Sequence, residues 1–563
     1  MIYKVADNIL SPLGETTEQN YQAVVSGGSA LNFGDGRGDW FQSPDARPHD
    51  CFESLVVRSV REATHDLPID LGSRRLVFIL STTKANVGLL GSADAEPSML
   101  YPGESAQRIA DRLGVSTAPI VVCNACISGL SAIILASRLM ATGAYDQAVV
   151  CGADVLCPFI TSGFESLKAV SPAPCRPFDM ERTGMNLGEA AATIVLSKDP
   201  MGQTNPWAIG TGVIRNDGYD ISAPSRTAEG ATRALKVALG DMDADNLAMV
   251  NAHGTATMFM DQMESVAITK AGLGDVPVNS LKGYYGHTLG AAGILETVLT
   301  MRALDDHIIL GTKGFEELGV SGKVRVSASH QSTEKTAFVK LISGFGGGNA
   351  ALLVDHRDVD HGDGSHDLVR EAIDQENRPR VQHRVQISPT DVTVDGKRIE
   401  CEGTGKALLT NLYKRYIGDY PRFYKMDLLS RLGFVASELL LASEGKERFV
   451  ECDGRAVVLF NHSSSIHADR AYLESIRDAD NYYPSPSLFV YTLPNIVTGE
   501  IAIRNHYHGE TSFYILPRRD EAIIRMVQQA TFCDPDTRSM MTGWLDCEDE
   551  DHFEADLYII HNA

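Results

Sequence analysis

Long apolar runs are missing from this chain, and nothing in it approaches the roughly 20 consecutive residues that a membrane-spanning helix requires, so no membrane span is expected. Basic charge is also in deficit. Fifty Lys and Arg against 73 Asp and Glu leave a formal charge of −23, which excludes nucleic acid or an anionic membrane as the main partner, because both need a basic footprint. The N-terminal MIYKVADNILSPLGETTEQN has neither the basic cluster nor the apolar stretch of a secretory leader. A cytoplasmic location is therefore the default expectation. The ten cysteines are scattered along the chain, and in a reducing compartment they stay thiols rather than forming a disulfide framework. At 563 residues the chain exceeds what one hydrophobic core serves, and two or more domains are expected.

From Met1 to about His356, short β-branched runs (RRLVFILST, APIVVCNA, YDQAVVCGAD, AATIVLS) alternate with amphipathic stretches, which predicts a layered α/β architecture. The polar segment DHRDVDHGDGSHDLVREAIDQENRPR follows and reads as a linker over 357–384. The remainder, 385–563, repeats the order of the N-terminal part. GRAVVLFNHSSSIHA parallels SRRLVFILSTTKANVG, IAIRNHYHGETSFYI parallels IADRLGVSTAPIVV, and SMMTGWLDC parallels QAVVCGADV. With Gly543 set against Gly152, the position equivalent to Cys126 falls at Pro517, so this copy carries no thiol there.

In PIVVCNACISGLSAIILASRLMATGAYD a buried strand pattern ends at Cys126 and a helix begins, with Ile127, Leu130, Ile133, Ile134 and Leu139 on one face. A cysteine at a helix N-terminus meets unpaired N–H groups and the positive end of the dipole, which favour the thiolate and can hold an oxyanion. Taken alone, the segment also fits a small buried hydrophobe, or a redox pair with Cys123, although Cys123 falls inside the apolar strand pattern. VNAHGTATMFMDQMESVAI places His253 at the end of an apolar run, followed by a small-residue turn and a helix with Asp261 and Glu264. Strand ends of this kind are where α/β folds build sites. VNSLKGYYGHTLGAAGILETVLTMRAL puts Lys282 and His287 in a glycine-rich loop before a helix whose GAAG start permits close backbone approach. Each histidine alone fits a hydrogen-bonded structural role equally well.

Together NACISG, RPFDMERTGMNLGEAA, NAHGTAT with MDQMES, SLKGYYGHTLGAAG and SGFGGGNAALL, in this order, resemble the motifs of β-ketoacyl-[acyl-carrier-protein] synthases of the fatty-acid and polyketide type. The resemblance covers about residues 1–356. It implies an α/β, thiolase-like αβαβα fold of two related halves, 1–200 with the nucleophile and 207–356 with the two histidines, followed by a C-terminal α/β half-thiolase-like domain. It implies that Cys126 accepts an acyl chain from acyl carrier protein, and that His253 and His287 stabilise the enolate left when malonyl carrier protein loses its carboxylate. Thr255 and Thr257 match positions that hydrogen-bond the phosphopantetheine arm. Lys282 and Glu264 match a pair that orders the site, Asp261 a structural acid, and Phe345 a mobile gate whose backbone N–H shares the oxyanion with that of Cys126. No metal and no cofactor is implied beyond the arm carried by the substrate protein, and a homodimer or a heterodimer with a related synthase is expected.

Three departures from the family pattern stand out: Ser343 replaces an aromatic residue, Gly348 replaces a threonine, and the segments between Leu89 and Tyr101 are short. The resemblance leaves a second reading open, a non-catalytic chain-length factor, which would ordinarily have lost the nucleophile. A thiolase would need a second catalytic cysteine near the C-terminal glycine motifs, and a synthase of type III would carry Asn at His287. His506 and His508 in NHYHGE are spaced like ligands sharing one strand face, with no further ligands nearby in the sequence.

Overall fold

The computed structural model describes residues 1–31, 51–93, 95–356 and 380–562. Its strands form three five-stranded units of one plan. In the first, the β-branched strands Ile120–Val122, Leu76–Ser81 and Gln147–Asp154 run parallel, and Ala190–Ser197 and Tyr3–Leu10 add antiparallel. The second repeats this with Pro277–Asn279, Leu247–Asn251, Ala337–Gly344, Gly348–His356 and Trp207–Asn216. The third uses Thr511–Ile515, Arg455–Asn461, Ser539–Cys547, Phe553–His561 and Val381–Ile387. The fold is α/β and layered. Val381–Ile387 pairs with Phe553–His561 on one side and with the short strand Val392–Val394 on the other, so a boundary at 384/385 would cut a hydrogen-bonded strand; residues 357–379 of the expected linker lie outside the described residues.

The helices Ser128–Ala141 and Ala292–Asp305 fill the layer between the first two sheets, and both are buried almost all round, as a helix without a polar face must be. Glycine lets them meet. A Cβ on Gly293 would come 2.4 Å from the Leu130 backbone nitrogen, and one on Gly129 would lie 2.8 Å from the Gly290 carbonyl. This contact draws the segments before the two helices, which carry Cys126 and His287, to one place. Asp154 pins the same junction by accepting from Thr82 Oγ1 (2.7 Å) and from the Gly290 N–H (2.7 Å).

The third unit joins the first edge to edge, Tyr514 opposite Val122 and Ile515 opposite Val121 in antiparallel register. The pairing continues to the nucleophile segment, with Cys123 N–H donating to Phe513 O (3.1 Å) and Phe513 N–H to Asn124 Oδ1 (2.7 Å). Register also fixes the equivalence between copies. Ser81 faces both Val122 and Gly152, and Leu459 faces both Phe513 and Gly543, which makes Phe513 the counterpart of Val122 and Pro517 that of Cys126. This is the register that the match of Gly543 to Gly152 gives in the sequence, although the helix Ile496–Asn505 is shorter than its counterpart Pro102–Leu113.

A buried ionic cluster ties the three units together. Asp534 of the third accepts from Arg138 Nη2 of the first (3.1 Å) and from Arg215 Nη1 and Nη2 of the second (2.7 and 2.9 Å). Arg138 also meets Glu510 at 2.5 Å, and Arg215 meets Asp536 at 2.7 Å. Among the described residues no helix is long and apolar enough to cross a membrane.

Candidate active site

Ile120–Val122 ends against the third unit, and the chain turns sharply through Ala125 (φ 49°) into a 3-10 turn, Ala125–Ile127, that runs into the helix Ser128–Ala141. Positive φ costs a residue with a Cβ about 1 kcal/mol or more, and here it aims Cys126 into the space between the sheets. Ser128 Oγ braces the turn by accepting from the Asn124 N–H (2.8 Å). The strand end at Gly344 packs so tightly that a Cβ there would lie 3.2 Å from the Cys126 nitrogen.

His253 follows the strand Leu247–Asn251, and Glu264 holds its turn by accepting from the N–H groups of His253 (2.6 Å) and Gly254 (2.7 Å). Asp261 holds the next bend through the N–H groups of Ala256 (3.0 Å) and Phe178 (2.6 Å). Burial pushes the Glu264 carboxyl up to about 7 and that of Asp261 up to about 6. His287 is reached from the other side. Its Nδ1 accepts from the Leu289 N–H at 3.3 Å, which leaves Nε2 carrying the hydrogen, buried and without a partner. The two rings meet edge to face with centroids 5.1 Å apart, and the Cys126 thiol and one nitrogen from each ring lie within 4.8 Å of one another.

Lys282 does not pair with Glu264. Glu264 is occupied by backbone donors, and the Lys282 ammonium, fully buried, pairs instead with Glu296 of the helix Ala292–Asp305, whose other oxygen binds Lys340 at 2.6 Å. Burial works against ionising Glu296, but the two ammonium groups hold its carboxyl below the usual range. Two cations on one carboxylate leave an excess positive charge beside the imidazoles. Burial first, then Lys282 and Lys340, hold both histidines well below their ordinary pKa, so both rings are neutral at pH 7. The helix terminus favours the thiolate, while burial works the other way and, despite the pull of Lys282, pushes the Cys126 thiol up to about 12.

A cavity of about 480 Å³ leads from the surface to these three side chains, with Thr255, Thr257 and Phe345 in its wall. The two threonine hydroxyls lie 2.9 Å apart. The Phe345 ring stacks on Phe164 (centroids 6.1 Å), and its carbonyl accepts from Asn495 Nδ2 of the third unit (2.8 Å). Ser343 uses the space of an aromatic residue to donate to Asn349 Oδ1 (2.6 Å).

Residues 89–200 match the beta-ketoacyl synthase N-terminal domain, and residues 208–316 match its C-terminal domain. Over these residues the chain belongs to the beta-ketoacyl synthase family. The 3-oxoacyl-[acyl-carrier-protein] synthase 2 of Vibrio cholerae is 27% identical over 401 residues, covering 61% of this chain and 96% of that protein; its namesake from Rhizobium meliloti is 33% identical over 253 residues, covering 41% and 59%. Among solved structures, a ketosynthase in complex with its chain length factor from Xenorhabdus doucetiae superposes with a TM-score of 0.55 at 25% identity over 63% of this chain and 98% of that one. A keto synthase-chain length factor, PfaC, matches all of this chain and 78% of its own with a TM-score of 0.74 at 14% identity, a likeness of fold. The family is one of acyltransferases.

The site also holds residues that the motifs did not reveal. Glu296 and Lys340 are lone charges inside the apolar runs GILETVL and AFVKLIS, a pattern that marks a buried ion pair. Asn495 lies in a unit with no motif at all. His506 and His508 do not share a strand face: His506 caps a helix in the left-handed conformation (φ 55°), and His508 Nδ1 lies 3.1 Å from Asn216 O. Among the described residues, the His, Cys and carboxylate groups close enough to share a metal ion are Cys126, His253 and His287.

Proposed function

We propose that this chain is a β-ketoacyl-[acyl-carrier-protein] synthase that joins a malonyl unit, with loss of carbon dioxide, to an acyl group carried on Cys126. The observation that carries this reading is the convergence of one thiol and two neutral imidazoles in one cavity of about 480 Å³. In the first half-reaction the Cys126 sulfur bonds to the acyl carbonyl, and the thiol of acyl carrier protein leaves with the proton. The backbone N–H groups of Cys126 and Phe345 hold the oxyanion. In the second, malonyl carrier protein enters past Thr255 and Thr257, and its thioester oxygen takes hydrogen bonds from His253 and His287. The bond to the carboxylate breaks, carbon dioxide leaves, and the electron pair forms an enolate that these bonds stabilise. The enolate carbon attacks the acyl carbonyl, and Cys126 departs and recovers a proton. No metal or redox cofactor is required by these steps.

The third unit acts in this reading as a nucleophile-free partner carried in the same chain, bracing the segment before Cys126 through Phe513 and the gate through Asn495. Intact-mass measurement after incubation with acyl carrier proteins tests the proposal: one acyl adduct on the native chain, none on Cys126→Ala, and loss of condensation in that variant. Condensation undiminished by Cys126→Ala would instead establish a chain-length-factor role.

A further inference from the structure

The strand Ala337–Gly344, which leads into the Phe345 gate, carries one charged side chain into the core. Lys340 is fully buried, and its Nζ donates to Glu296 Oε2 (2.6 Å) and to the carbonyl of Ala252 (3.2 Å), the residue before His253. The other Glu296 oxygen is already taken by the Lys282 ammonium. Lys340 stands outside every motif in the sequence.

A buried charge is costly unless it is paired. Lys282 alone balances Glu296, so the second lysine leaves the cluster one positive charge over. The nearby Glu264 does not cancel it in full: it is spent on the N–H groups of His253 and Gly254, and burial pushes it up to about 7. Burial lowers the Lys340 pKa from its ordinary 10.5 against the pull of Glu296. After burial and Lys282, Lys340 helps to hold both imidazoles below their ordinary pKa, so its field reaches them. A core assembled for stability alone gains nothing from this second cation.

Loss of carbon dioxide moves a negative charge. It leaves the malonyl carboxylate with the breaking carbon–carbon bond and arrives on the thioester oxygen, where two imidazoles donate hydrogen bonds but carry no charge of their own. A fixed cation behind them lowers the energy of that anion without having to reorganise. We infer that Lys340 is a positioning residue for the decarboxylation step, acting through His253 and His287 by the surplus positive charge it places behind them. This rests on the reading of the site as a decarboxylating one.

The test compares Lys340→Met and Lys340→Gln with the native full-length protein in two rates, carbon dioxide release from malonyl-pantetheine and alkylation of Cys126 by iodoacetamide. Both variants lack the charge, while Gln can still donate to the Ala252 carbonyl. Each is expected to lower carbon dioxide release at least about tenfold and to change alkylation by less than about twofold, because the cation acting on the Cys126 thiol is Lys282. Release within about threefold of native in either folded variant overturns the inference. So does recovery in Gln but not in Met, which would assign the effect to the Ala252 bond, and so does an equal loss of both rates or of the fold in both variants, which would assign Lys340 to the core. In each of these cases the native protein still decarboxylates and the proposed function stands; no carbon dioxide from the native protein overturns both.

Discussion

Replacing Asp534 by Asn keeps the shape of a side chain that is almost wholly buried and removes the charge on which two guanidinium groups converge. Arg138 would keep Glu510, but Arg215 would keep only Asp536, which is 43% exposed. Breaking a buried ion pair by removing one partner costs about 3–5 kcal/mol. For 563 residues unfolding as one cooperative unit, the unfolding entropy is about 1.2 kcal/mol/K, and the loss lowers Tm by about 3–4 °C. If the third unit detaches and melts first, its roughly 180 residues carry about a third of that entropy, and a separate transition falls by about 10 °C. Scanning calorimetry distinguishes the two. The pH dependence follows from the same contacts. Burial disfavours the Asp534 carboxylate, yet the bonds and charges of Arg215 and Arg138 hold its pKa below the ordinary 3.8, so the stability it contributes is present above that value and is lost as pH falls through the folded pKa. Asp534→Asn should lack this acid-dependent loss. A Tm within about 1 °C of the native protein at pH 7 would refute the account, because the cluster would then contribute far less than a buried pair should.

Because burial pushes the Cys126 thiol up to about 12, alkylation by iodoacetamide should rise about tenfold per pH unit from pH 7 to 10 with no plateau; a plateau below pH 8 would show a thiolate in the free site. The neutral His253 and His287 sit well below the ordinary value of 6.5, so the unfolded chain binds more protons than the folded one below that pH. The urea midpoint should therefore fall between pH 6.5 and 5.5, by on the order of 1 kcal/mol per histidine, and a His253→Asn/His287→Asn double variant should lose most of that slope. Asn495→Ala removes the bond to the Phe345 carbonyl and also an unpartnered buried oxygen. Stability should change by less than about 1 kcal/mol, while alkylation of Cys126 at a fixed pH rises several-fold, and an unchanged rate would deny Asn495 any hold on the gate.

Cys126 and His253 were legible because each follows an apolar run and precedes a helix, and His287 because it sits in a glycine-rich loop before a helix, local patterns that periodicity and glycine placement expose. Glu264 and Lys282 were legible as site residues but not as partners. Which carboxylate reaches Lys282 depends on how the helix Ala292–Asp305 crosses Ser128–Ala141, and nothing local encodes that crossing. At Cys126 the helix terminus can be seen in the sequence, whereas the depth at which the thiol is buried, which works against its ionisation, cannot. The repeat of the third unit was visible in its strands, and matching Gly543 to Gly152 gave the register that the strand pairing has. Asn495 reaches the site because the third unit docks on the first, through the edge pairing of Tyr514 with Val122 and the bond of Arg138 to Asp534, contacts across almost four hundred residues that no motif announces.

That edge pairing fixes composition as well as geometry. A strand edge satisfied from within the same polypeptide cannot accept a second molecule there, so the thiol-bearing and thiol-free parts occur one to one at any protein concentration. Separate subunits would come apart on dilution, whereas a tethered unit faces its counterpart at an effective concentration that dilution does not change.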